Sequence, residues 1–202
     1  SIFRNEEDLK VIGCEDHIER AKQAADKGIT LVKNTLDQLP IRPETHKRIR
    51  LYYLEGEKGG LMGDSKSLDI IVKELESRGF EVTVNDGTTR IKGPTLKYRE
   101  EVDAALVFSN VVGYGAENNY RIRWKTAMSN EVPWYVHEVP TVFVSLNYTT
   151  HLTDVPMVKC YINAYKDTEI TIKAVVDKIM GESEFNGTPN ELVWCNKWDT
   201  RL

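Results

Sequence analysis

The most telling feature of the chain is where its apolar residues stop alternating. "DAALVFSN" (103–110), "PTVFVSLN" (140–147) and "MVKCYINAY" (157–165) are almost unbroken apolar runs. Strands of that kind are buried on both faces, the signature of a parallel sheet covered by helices. "RIRLYYLE" (48–55) reads as another strand rich in bulky residues, and "FEVTV" (80–84) alternates as a strand. Between them, "DSKSLDIIVKELESRG" (64–79) places Leu68, Ile71, Val72 and Leu75 at helical spacing. Asp64 or Ser65 is positioned to cap this helix, and Gly79 stands where a left-handed residue closes it. "KDTEITIKAVVDKIMG" (166–181) predicts a final helix with Asp167 as its cap and Ile172, Val175, Val176 and Ile179 facing inward. Strand and helix alternate over 48–181, which predicts an α/β fold: a doubly wound, mostly parallel sheet with helices on both faces, a flavodoxin-like α/β sandwich. Ahead of it, an alanine-rich helical run ends at Gly28, a β-branched stretch follows, and Leu39-Pro40 closes a turn.

Composition narrows the classes of partner. Apolar residues make up 41% and charged residues 29% of 202, with net charge −4. That is an ordinary globular balance, without the basic patch that nucleic acid or an anionic membrane would need. No apolar run approaches the roughly 18 residues of a membrane span, and no signal segment opens the chain. The chain begins with Ser1, so its compartment, cytoplasmic or secreted, stays open. Cys14, Cys160 and Cys195 are too far apart for a zinc site and too few for a disulfide framework. His17, His46, His137 and His151 show no i+3 or i+4 pairing. Neither a cofactor nor a metal is expected.

Ligands of an open α/β sheet meet the carboxyl ends of its strands, so the loops there are the place to look. "GEKGGLMGDS" (56–65) is glycine-rich, but it lacks the P-loop pattern, and Glu55, Glu57 and Asp64 would repel a phosphate. "NVVGYGAENNYRIRW" (110–124) is long and gathers Glu117, Arg121, Arg123 and Trp124. A receiver domain would need an Asp closing the third parallel strand and a Lys closing the fifth. The chain has Ser109-Asn110 and Asn163-Ala164 there. A flavin's Ser/Thr-rich phosphate loop and a G-x-S-x-G elbow are also missing. The tail "ESEFNGTPNELVWCNKWDTRL" (182–202) carries Trp194 and Trp198, which read as anchors onto the body.

"ADKGITLVKNTLDQLPI" (25–41) resembles the segment that joins the two domains of family 3 glycoside hydrolases. "DAALVFSNVVGY", "RIRW", "EVPWYVHEVPTVFVSLNYTTHLTDVPMVKCYINAY" and "SEFNGTPNELVWCNKWDTR" are similar to the β-N-acetylhexosaminidase branch of that family, in order and at matching spacing. The resemblance implies that residues 1–47 are an inter-domain linker helix and entry strand, and 48–202 a C-terminal sandwich domain. Its partner would be an N-terminal catalytic barrel of the same polypeptide, and its substrate a carbohydrate. Retaining hydrolysis needs one carboxyl-type group to attack and one to protonate the leaving oxygen. In this branch both would lie on the barrel, the acid/base pair near a "KHFPGHG"-like stretch. Nothing here matches that stretch or the nucleophile's motif, so the isolated chain is expected to be inactive. Glu117 falls where the glucosidase branch carries an acid/base glutamate, but its flanks do not match. Arg121, Arg123 and Trp124 are the candidates for the substrate or barrel interface. The competing reading is a stand-alone, non-catalytic α/β module that binds a small ligand or protein partner. A surface that has lost a barrel should show an apolar or mixed patch near the linker and the 110–124 loop.

Overall fold

The computed structural model describes residues 6–55, 66–85, 96–111, 121, 122, 124 and 131–190. The glycine-rich loop at 56–65, with the caps expected at Asp64 and Ser65, lies outside them, as do Glu117, Arg123, Trp194, Cys195 and Trp198. In chain order the elements are α1 (Glu6–Leu9), α2 (Glu15–Gly28), β1 (Thr30–Asn34), β2 (Arg48–Glu55), α3 (Ser67–Ser77) and β3 (Glu81–Val84). After them come α4 (Leu96–Glu101), β4 (Ala104–Asn110), a 3₁₀ turn at Trp134–His137 and β5 (Thr141–Ser145). A second 3₁₀ turn at His151–Thr153, β6 (Cys160–Asn163) and α5 (Glu169–Met180) complete the series.

The strands form one six-stranded sheet in the order β1-β6-β5-β4-β2-β3. From β3 to β6 every pairing is parallel. Numbered along the chain, those strands stand 2-1-3-4-5, the flavodoxin-like doubly wound order. The short stretch after Gly28 adds β1 antiparallel to β6 at the edge.

Successive side chains of a strand point to opposite faces, and the sheet uses this to build two cores. On one face Leu51, Leu106, Phe108, Val144 and Ile162 meet Ile71 and Leu75 of α3 and Ile172, Val175, Val176 and Ile179 of α5. On the other, Tyr52, Val107, Phe143 and Tyr161 meet Tyr98 of α4, Tyr135 and Leu152. Aromatic stacking orders this second core: the Tyr52 and Tyr135 rings lie 4.2 Å apart, and Phe143 and Tyr161 5.4 Å apart.

Helix ends correct the expected capping in one place. The N-cap of α5 is Thr168, whose hydroxyl accepts from the Thr171 amide at 3.2 Å. Asp167 is drawn away to bond Ser67 and Asn110. Gly79 does take the left-handed φ of +96° beyond α3.

Helix α2 has no fully buried residue; it docks through the partly buried Ala25 and a polar contact. The Lys178 side chain of α5 is 0% exposed. Its ammonium donates to Asp26 Oδ1 of α2 at 2.9 Å, Ser183 Oγ at 3.1 Å and the Glu184 carbonyl at 2.6 Å. All three of its N–H groups are therefore satisfied, and the Phe185 ring lies 5.5 Å away. Beyond this anchor, Leu9, Val11, Ile12 and Ile18 are exposed apolar residues of the N-terminal segment.

Hydrogen bonds from Ser183 and Lys178 hold the Asp26 carboxyl below its ordinary 3.8. A carboxyl lowered by folding adds stability above its ordinary pKa and loses it as pH falls through the folded-state value. Asp26→Asn should therefore be less stable than wild type at neutral pH, with the difference shrinking below about pH 3.8. Breaking a fully buried pair costs about 3–5 kcal/mol. Asp26 is 40% exposed, so Lys178→Met should cost less, about 2 kcal/mol. Urea unfolding across pH measures both effects.

Candidate functional site

The parallel strands end in polar residues, and these sort onto the two faces of the sheet. Ser109 pairs in register with Ser145, and Ser145 with Asn163. The three form a row at the carboxyl ends of β4, β5 and β6, on the side of Phe143 and Tyr161, as the pleat requires. His151, 0% exposed, closes over the row with Nδ1 2.9 Å from Ser145 Oγ and 3.2 Å from Ser109 Oγ. The Ser145 hydroxyl donates to the Tyr148 carbonyl. Nδ1 of His151 must then carry its proton and share it between the two serine oxygens.

A histidine between two serines invites a nucleophilic reading. Burial rules it out: Ser109, Ser145 and His151 are essentially inaccessible, so no substrate carbonyl can approach either hydroxyl. The cluster instead bolts the turn after β5 to the centre of the sheet. Two buried polar atoms beside it, Tyr161 Oη and Asn163 Oδ1, have no hydrogen-bond partner among the described residues. Burial pushes the Tyr161 phenol well above its ordinary range.

The opposite face carries a second network at the strand ends. Asn110 Nδ2 donates to Tyr53 Oη at 2.9 Å and to Asp167 Oδ2 at 3.1 Å. Asn147 donates to Asn110 Oδ1, and Ser67 Oγ to Asp167 Oδ2 at 3.2 Å. This network ties β2, β4, the turn after β5 and the starts of α3 and α5 together. It borders the gap between β2 and β4, where the winding of the sheet reverses and ligands of such folds bind.

Of the residues singled out by the sequence, Arg121 and Trp124 can be placed. Arg121 is exposed, and its Nε donates to Asp154 Oδ1. The Ile122 amide donates to Asp154 Oδ2 at 3.1 Å. Ile122 and the half-buried Trp124 turn toward the second core, so alternating side chains send the arginine outward and the indole inward. Sequence reading took Asp167 for a helix cap, His151 for an unpaired histidine and Ser109, Asn110 and Asn163 only as a mismatch to a receiver domain, and it passed over Asp154 and Ser145. The available signal was the repeated close of an apolar run in Ser and Asn, adjacent in "VFSN" and one residue apart in "VSLN". Among the described residues no group of three His, Cys, Asp or Glu could hold a metal, and no helix is long and apolar enough to cross a membrane. A groove of about 650 Å³ between α2 and α5 is lined by charges of both signs, including Lys22, Arg78, Glu19 and Asp177.

Comparison with known proteins agrees with this architecture. No family model matches the chain. Over 197 residues it is 32% identical to a beta-N-acetylglucosaminidase/beta-glucosidase of Cellulomonas fimi, a match covering 95% of the chain and 35% of that protein. It superposes on the beta-glucoside phosphorylase BglX bound to 2FGlc with a TM-score of 0.83 at 30% identity, over 93% of this chain and 34% of the other. A glycoside hydrolase family 3 beta-N-acetylglucosaminidase from Paenibacillus shares the fold at TM-score 0.62 and 15% identity, over 88% of this chain and 32% of that one. The chain thus spans about a third of the length of the relatives it matches.

The buried cluster predicts an asymmetry. His151→Ala leaves two buried hydroxyls without their donor and opens a cavity, and should cost about 2–4 kcal/mol. Tyr161→Phe removes a buried hydroxyl that has no partner and should raise stability by about 1 kcal/mol. Chemical denaturation of the two variants checks the contrast.

Proposed function

We infer the role of this chain from the family to which it belongs, glycoside hydrolase family 3. It is the C-terminal α/β domain of a retaining enzyme that cleaves terminal β-N-acetylhexosaminides or related β-glycosides. The observation that carries this reading is the 32% identity, sustained over 95% of the chain, to a relative named for both β-N-acetylglucosaminidase and β-glucosidase activity. A chain matching about a third of such enzymes fits one domain of a longer polypeptide. Residues 1–47 serve as the linker helix and entry strand, and 48–202 as the sandwich.

In this reading the nucleophilic carboxylate and the proton donor lie on the catalytic barrel, and the sandwich supports it. The exposed Leu9, Val11, Ile12 and Ile18 suit a segment that another domain covers. Arg121 and Arg123 are the candidates for contact with the sugar or the barrel, whereas the Trp124 indole packs on the second core. An arginine can fork onto carboxylates or hydroxyls. Glu117 is the chain's low-ranking candidate for an acid. The match to a phosphorylase at 30% identity favours a second reading of the same reaction. There, inorganic phosphate rather than water attacks the glycosyl-enzyme intermediate, and the product is a glycosyl phosphate.

The test compares the isolated chain with the complete polypeptide on 4-nitrophenyl β-N-acetylglucosaminide and β-glucoside, with and without phosphate. The isolated chain should release no nitrophenol, since it offers no nucleophile for a glycosyl-enzyme intermediate. Turnover by the isolated chain that disappears when one of its carboxylates is removed would overturn the assignment. In the complete enzyme, Arg121→Ala, Arg123→Ala or Glu117→Ala should lower kcat/KM about 10-fold, or about 1.4 kcal/mol, if the residue reaches the pocket. Three unchanged enzymes would confine the domain to scaffolding.

A further inference from the structure

Helix α2 passes into β1 with a single residue, Ile29, between them. The helix brings little of its own to that junction. It has 14 residues, a length at which an isolated helix is marginal in water, and the residue it packs on the core is Ala25. The direction in which it leaves the sheet must therefore be set by something that grips it from outside.

The chain that follows α5 supplies the grip. Gly181 closes α5 in the left-handed region at φ +73°, and the next residues cross the end of α2. Ser183 Oγ donates to Asp26 Oδ1, the Glu184 carbonyl accepts from Lys178, and Phe185 packs on the core. Gly187 then passes so close that a Cβ placed on it would lie 2.8 Å from the Ile29 carbonyl oxygen, 2.9 Å from that of Lys27 and 2.8 Å from Thr30 Cγ2. Two of these three obstacles are backbone oxygens, which cannot rotate aside as the end of a side chain can. The φ of Gly187 lies outside the left-handed region, so the position demands glycine for space and not for backbone conformation. One short segment thus holds the last turn of the helix at Asp26 and Lys27 and the start of the strand at Ile29 and Thr30. It does so from 157 residues along the chain.

We propose that Ser183–Gly187 is a clasp over the α2–β1 junction, which fixes the direction in which α2 leaves the sheet. A domain attached ahead of α2 is then placed by the clasp. That second statement rests on the family reading above, whereas the clasp itself does not.

Amide hydrogen exchange in the chain itself reads the clasp. In Gly187→Ala the displaced segment should release α2, so the amides of Ala24 to Lys27 should exchange about 10-fold faster or more while those of β4 keep their protection. Glu184→Ala retains the carbonyl that Lys178 uses and should change neither. Unaltered protection of α2 in Gly187→Ala, or equal acceleration in Glu184→Ala, would overturn the clasp. Should Gly187→Ala fail to fold, Ser183→Ala decides instead, since it removes the hydroxyl on Asp26 and adds no bulk. In the complete enzyme, Gly187→Ala should lower kcat/KM about 10-fold. An unchanged kcat/KM beside accelerated exchange in α2 would overturn the placement of the attached domain and leave the clasp standing. If the complete wild-type polypeptide cleaves no β-glycoside, the family reading falls, and the exchange data still decide the clasp.

Discussion

Strand β4 has no residue at the surface: from Ala104 to Asn110 every side chain is buried. A strand enclosed on both faces demands cover on both, and most of the architecture follows from meeting that demand. Helices α3 and α5 supply one layer, while α4, the two 3₁₀ turns and their aromatic residues supply the other. The same enclosure restricts polar chemistry to the strand ends. A hydroxyl or amide inside a sealed sheet must find a partner or leave a costly vacancy. Ser109, Ser145 and Asn110 find theirs in residues of the following turns. The turn after β5 and the start of α5 are tied down because the strands beneath them are so thoroughly apolar.

This constraint also explains which features were legible in the sequence. The runs at 103–110, 140–147 and 157–165 announced buried parallel strands because enclosure erases the polar alternation of a half-exposed strand. Their ordered cores are shorter, Thr141–Ser145 and Cys160–Asn163 for the last two, since an apolar residue just past a strand can pack without pairing. The inward face of α5 was readable from spacing alone, its cap was not. Asp167 and Thr168 are both good capping residues, and only the pull of Ser67 and Asn110 on Asp167 decides between them. His151 was invisible for a similar reason. Its partners sit 42 and 6 residues away, and nothing local marks a histidine that closes over two strand ends. Asp154 and Arg121 are 33 residues apart and equally silent. The sequence located the loop at 110–124, while its attachment had to be seen in three dimensions.

The fold does not by itself define an activity, since doubly wound sheets carry many unrelated sites. What this domain offers is a rigid platform with two different ends. The carboxyl ends of its strands present a dense hydrogen-bonded rim, joined to Arg121 through the second 3₁₀ turn. The N-terminal segment presents exposed leucine, valine and isoleucine side chains, suited to apolar contact. The Lys178 ammonium joins the two regimes, because it holds α2 against α5 by polar contacts where the helix packs only the partly buried Ala25 on the core.

Strand β1 gives the N-terminal segment a mechanical character. Its register runs from Thr30 opposite Asn163 to Asn34 opposite Cys160, so the chain enters the domain as a member of the sheet. Tension applied to α2 along that strand would load the β1–β6 hydrogen bonds on either side of the bulge at Leu31–Lys33 in shear instead of peeling them one at a time. A joint of this kind resists as a lap seam does and transmits small displacements directly to β6. Beside β6 lies β5, with Ser145 and the His151 turn beyond it. Whatever is attached to the front of the chain is thereby coupled stiffly to the rim, as one lever arm instead of a hinge.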